Sequence, residues 1–151
     1  MKRLFTILFA TMLAGQAWAD NFDFSAVCSS GQTLYYLITS DSTVTVTYPN
    51  YSNYYYYYNY AKPTGVLEIP SAVTYNEVEY MVTSIGYGAF YYCDSLTSVT
   101  IPNSVKNISN DAFYGCNKIE ILTYNTNAIG STFRNKQMLK TVNIGDSVTS
   151  I

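Results

Sequence analysis

Histidine is absent from all 151 residues. With it go the commonest general base, the commonest metal ligand and any Ser-His or Cys-His nucleophile pair within the chain. Cysteine is scarce. Cys28, Cys93 and Cys116 are far apart and include no C-x-x-C pair, so a zinc site is not expected. Charge is sparse too, at 12% of residues. Nucleic-acid binding and polybasic membrane contact both rely on clustered Lys and Arg, and neither is expected. Gly86-Tyr-Gly88 lacks the Lys-Ser/Thr of a phosphate loop. The carboxylates Glu77, Glu79, Glu120 and Asp146 read as solvated positions rather than the two arms of a glycosidase cleft. These absences leave no catalytic residue, metal or cofactor to assign, and the chain is not expected to be an enzyme.

Long apolar runs are also missing, with one exception at the start. Lys2 and Arg3 precede the mostly apolar Leu4–Leu13, and Ala17-Trp-Ala19 supplies small residues at a cleavage position. Residues 1–19 therefore read as a signal peptide cut after Ala19. The run is too short for a stable membrane span and no second one follows, so none is expected in the mature chain. Losing Lys2 and Arg3 leaves six Lys+Arg against ten Asp+Glu, a formal net charge of about −4. The expected location is secreted or cell-surface. Three cysteines in an exported chain cannot all pair. Cys93 and Cys116 read as buried, reduced and stacked, with a disulfide between them the alternative.

What the chain has in abundance is tyrosine, β-branched residues and repetition. Residues 20–64 form an expected N-terminal β cap. Thr33–Thr39 and Thr43–Tyr48 flank Ser40-Asp-Ser42 as an antiparallel hairpin. The Tyr-rich stretch that follows, with Tyr54, Tyr55, Tyr56, Tyr57 and Tyr58 at its centre, is either a surface loop packed on the cap or an aromatic contact patch. From residue 65 the chain repeats. Phe90 and Phe113, Cys93 and Cys116, and Leu96 and Ile119 are each 23 residues apart. Phe113 and Phe133, Leu122 and Val142, and Tyr124 and Ile144 are each 20 apart. Such periods predict a mostly β solenoid of short parallel strands. Its units are 65–81 (degenerate), 82–104, 105–127, 128–147 and a truncated 148–151. That truncation reads as a fragment of a longer protein. In each unit two alternating apolar residues point inward, as at Val99 and Ile101. Phe90, Phe113 and Phe133 should form an aromatic column.

The unit Val82-Thr-Ser-Ile-Gly-Tyr-Gly-Ala-Phe-Tyr-Tyr-Cys-Asp-Ser-Leu-Thr-Ser-Val-Thr-Ile-Pro-Asn-Ser104 resembles the BspA-like leucine-rich repeat. The likeness is close there, clear over 105–127 and loose over 128–147. It implies a right-handed leucine-rich-repeat coil in a secreted or surface protein of Gram-negative anaerobes of the gut or mouth. It also implies adhesion, including binding of host matrix proteins such as fibronectin and fibrinogen, and no family catalytic residues. The third unit departs from the pattern, and no anchoring or sorting region is expected within residues 1–151, which leaves the mode of surface attachment open.

The function then falls on the surface. Ser98 and Thr100, Ile121 and Thr123, and Thr141 and Asn143 alternate with the inward residues and are expected on the concave sheet face. With the Tyr tract they are the candidate contacts for an extracellular protein or glycan. The other expected role is a spacer array displaying a domain beyond residue 151.

Overall fold

The computed structural model describes residues 20–50, 56–57, 59–129 and 131–150. The expected signal peptide, and Tyr54, Tyr55 and Tyr58, lie outside them. The chain is mostly β. It opens with β1 (Phe24–Val27), β2 (Thr33–Ser40) and β3 (Thr43–Thr47), paired antiparallel in that order. β2 and β3 are the hairpin expected from their β-branched and aromatic residues. β1 had no comparable signal: four residues, half of them small. Val44 and Val46 alternate with threonines along β3 and are fully buried.

The repeats build two ladders. β4 (Gly65–Glu68), β7 (Leu96–Ile101), β9 (Ile121–Tyr124) and β10 (Thr141–Ile144) form one parallel sheet in the order β10-β9-β7-β4. The register matches the sequence spacing: Leu67 faces Val99, Val99 faces Leu122, and Leu122 faces Val142. The degenerate unit therefore enters the same stack as the regular ones.

The second ladder joins the cap to the repeats. β5 (Ala72–Tyr75) and β6 (Val78–Ile85) pair antiparallel around Asn76 and Glu77, both in left-handed conformations. β3 runs parallel to β6 on its other side, and Ser84 and Ile85 pair onward with Asn107 and Ile108 of β8 (Asn107–Ile108). β1–β3 and the strand that opens the 82–104 unit thus share one sheet. The units 82–104 and 105–127 each pass from this sheet, round a corner at Ala-Phe-x-x-Cys, to the four-stranded sheet.

The core lies between the ladders. Ile85, Phe90, Leu96, Val99, Ile101 and Val105 are all buried. Phe90 stacks on Phe113 with ring centroids 4.8 Å apart, and Phe113 meets Phe133 at 4.9 Å. Burying side chains of this size stabilises by about 1.5–3 kcal/mol each before entropy is set against it. Cys93 and Cys116 are buried free thiols. The Cys116 thiol donates to the Phe90 carbonyl at 2.9 Å, which ties one corner to the one before it. Backbone bonds do the same: Phe90 N–H donates to Ala112 at 2.8 Å and Tyr92 N–H to Tyr114 at 2.7 Å. In β10, Val142 and Ile144 remain exposed.

Candidate interaction surfaces

The outward positions of the four-stranded sheet fall into two rows. Val66, Ser98, Ile121 and Thr141 are paired neighbours in one. Glu68, Thr100, Thr123 and Asn143 are paired neighbours in the other. Parallel strands lie about 4.8 Å apart, so each row crosses the sheet as a continuous line. All six expected contact residues fall in these rows. Ser98, Thr100 and Thr123 are half-buried by their neighbours, and Ile121, Thr141 and Asn143 are exposed. Val66 and Glu68 extend the rows onto β4, where the degeneracy of the unit hides them in the sequence. The first row carries two exposed apolar side chains, Val66 (50%) and Ile121 (41%). The second is polar, with Asn143 Nδ2 donating to Thr123 Oγ1 at 3.1 Å.

The tyrosine tract divides. Tyr57, expected among the contact residues, belongs to the core. It is 5% exposed and its hydroxyl donates to the Ala89 carbonyl. Burial, followed by the neighbouring Cys93, holds that hydroxyl well above the usual tyrosine range. Tyr56 instead lies at the repeat corner, packed on Tyr91 at 4.4 Å and edge-on to Tyr48 at 4.8 Å. Its ring lies where a Gly88 Cβ would stand, 2.5 Å from the nearest ring carbon, so only glycine admits it.

From Tyr56 an aromatic line runs along the corners. Tyr91 stacks on Tyr114 at 5.0 Å and 18°, and Tyr92 meets Tyr114 edge-on at 5.6 Å. Tyr87, Tyr92 and Tyr114 are each about half exposed. The two variable positions of Phe-x-x-Cys hold Tyr91-Tyr92 in one unit and Tyr114-Gly115 in the next. That pairing was the available signal, hidden by the longer tyrosine run upstream. Three basic groups flank the corners. Lys62 Nζ donates to the Tyr92 carbonyl at 3.0 Å, and Lys136 Nζ to the Phe113 carbonyl at 2.8 Å. Burial lowers the Lys136 pKa. Arg134 is exposed.

Among the described residues no three His, Cys, Asp or Glu side chains gather as a metal site. No helix there is long and apolar enough to cross a membrane. The thiols sit in apolar surroundings: burial raises both Cys93 and Cys116, the latter to about 11. That is the opposite of the lowered pKa that makes a cysteine nucleophilic.

Comparison with known proteins agrees with this architecture. The chain is similar to a leucine-rich repeat protein from Bacteroides capillosus, at 28% identity and a TM-score of 0.51, over 74% of this chain and 94% of that one. It is similar to one from Bacteroides ovatus at 30% identity and a TM-score of 0.48, over 73% of this chain. A leucine rich cell surface protein from Faecalibacterium prausnitzii aligns at 23% identity and a TM-score of 0.50, over 83% of this chain. This chain spans only 30% of the B. ovatus protein and 27% of the F. prausnitzii protein. No curated protein matches. The model of the BspA type leucine rich repeat region matches residues 70–151 in six copies, more than half of the sequence. The chain therefore belongs to the BspA type leucine-rich repeat family.

Proposed function

We propose that the chain is a non-catalytic recognition module, exported to the cell surface or beyond, which acts in adhesion. In this reading the stacked repeats form a right-handed solenoid capped by the N-terminal hairpin. Extracellular proteins, host matrix proteins among them, bind along the outer face of the four-stranded sheet. The carrying observation is the pair of continuous rows across β4, β7, β9 and β10, one with apolar anchors and one polar. Export is supported by the signal-like residues 1–19, and a surface location by the name of the F. prausnitzii relative. Affinity at a flat face of this kind comes from repetition along the rows rather than from one deep pocket.

Ile121 is the apolar centre of the first row, and its side chain points to solvent. Ile121→Lys should change stability by no more than about 0.5 kcal/mol, as surface changes generally do. Capture on immobilised fibronectin or fibrinogen should fall about tenfold, the effect of losing about 1.4 kcal/mol of contact. Undiminished capture by a folded Ile121→Lys chain would remove the sheet face from the function. Absence of capture by the unsubstituted chain would favour the spacer role instead.

A further inference from the structure

A groove of about 310 Å³ lies where two repeat corners meet, between the Tyr92 and Tyr114 rings and the 131–136 turn. None of its lining residues belongs to the sheet rows described above. Its size is at the lower end for small-molecule sites, which combine aromatic walls with a few placed polar groups. Here the walls are Tyr92 and Tyr114, 47% and 49% exposed and set at 73° to one another. The polar groups are Asn110, Asn117, Ser131, Thr132, Asn135 and Arg134, with Ser131 Oγ donating to Asn110 Oδ1 at 3.1 Å. Lys136 also lines the groove, but its ammonium is turned to the Phe113 carbonyl. Among the described residues the Arg134 guanidinium has no partner.

The backbone marks Tyr92 as unusual. The same corner position is Tyr92, Gly115 and Asn135 in successive units, with φ of 53°, 79° and 62°. Left-handed backbone suits Gly and Asn, and a bulky side chain there costs about 1–2 kcal/mol. Two of the three units hold the residues that the conformation favours. The third holds a tyrosine that is about half exposed and whose ring lies against the space a Gly115 Cβ would take, 2.6 Å from the nearest ring carbon. Lys62 donates to its carbonyl and Tyr114 accepts from its N–H, so the strained turn is held from both sides. Strain retained by its surroundings at an exposed aromatic is the pattern of a recognition site rather than of a packing residue.

We infer that this corner groove binds a glycan, with a pyranose ring packed against Tyr92 and Tyr114 and its hydroxyls bonded by the asparagine amides and Arg134. A sugar offers an apolar C–H face and a rim of donors and acceptors. Tyrosine rings supply rigid apolar area for the face, and each amide both donates and accepts for the rim. A peptide partner would call for a desolvated pocket to seat an anchor side chain. This groove is lined by amides and hydroxyls beside the two rings, with no aliphatic anchor pocket among its lining residues. The inference rests on the reading of the chain as an extracellular recognition module and adds a second face to it.

Two sources of the same chemistry are separable by titration of the full chain: mucin O-glycans released from their protein in one arm, and short cello- and xylo-oligosaccharides in the other. Binding in either arm is expected, and the arm names the source. Tyr92→Gly should weaken it at least about tenfold, as should Tyr114→Ala, while the melting temperature of Tyr92→Gly is held because glycine is at ease in that conformation. A tyrosine kept only for packing would give the reverse, lowered melting with intact binding, and overturn the proposal. If Tyr92→Gly fails to fold, Arg134→Gln, an exposed change, decides by the same loss or retention of binding. No titration in either arm overturns the proposal outright. In that case, capture on matrix proteins that Ile121→Lys weakens about tenfold shows that the sheet-face reading survives alone. Glycan binding without any such capture shows the converse.

Discussion

Phe113→Ala is expected to destabilise the chain by about 3–5 kcal/mol, the cost of truncating a fully buried phenylalanine. Phe113 is 0% exposed and lies between Phe90 at 4.8 Å and Phe133 at 4.9 Å, so its loss opens a cavity with a ring on each side. Whole domains are stable by about 5–15 kcal/mol, which makes the loss a large fraction of the total. Urea unfolding should show it as a lowered midpoint. Phe133→Ala is the matched control. Phe133 is only partly buried, so its truncation should cost less than about 3 kcal/mol. Equal costs at the two positions would mean that the rings do not form a column.

Alkali should unfold the chain over a narrow range. Tyr57, Tyr36, Cys93 and Cys116 are buried, and burial raises the pKa of each, Cys116 to about 11. All four are neutral in the folded chain, and folding opposes their ionisation. The unfolded chain therefore releases protons first as pH rises. The stabilisation is complete below the ordinary values of 9.0 for cysteine and 10.0 for tyrosine. It is withdrawn above them, until the folded values are reached. Each group in its window removes about 1.4 kcal/mol per pH unit. Together the four weaken the fold progressively as pH rises past those ordinary values. Circular dichroism against pH should show a flat baseline to about pH 9 and cooperative loss above it. Tyr36→Phe should make that slope shallower. Among the described residues the buried Tyr36 hydroxyl has no hydrogen-bond partner, so its removal should cost nothing at neutral pH. A baseline that falls below pH 8 would show that other groups govern stability.

Much of the fold was legible because it is periodic. Val99 and Leu122 are equivalent in sequence and neighbours in the sheet, and the same spacing brought Phe90, Phe113 and Phe133 into line. Where a unit is degenerate, the Leu67-Glu-Ile69 echo of Val99-Thr-Ile101 was enough to place β4. The pairing of β3 with β6 was not legible. A parallel contact between strands whose paired residues lie 38–39 apart in sequence leaves no local mark, unlike the turn that announces a hairpin. Tyrosine was the other obstacle. Its ring suits a core and a surface equally, so neighbours in one run part ways: Tyr57 bonds to Ala89 inside, and Tyr56 lies at the corner against Tyr91. The sheet-face candidates followed from alternation alone. The corner groove depends on side chains of two units meeting across a turn, and alternation says nothing about turns.

The most direct test of the stacked-repeat architecture is a set of nuclear Overhauser contacts among phenylalanine ring protons in the native chain. The account predicts contacts from Phe90 to Phe113 and from Phe113 to Phe133, with none linking Phe90 to Phe133. Missing neighbour contacts, or a direct Phe90–Phe133 contact, would contradict the stacking on which the recognition surfaces depend.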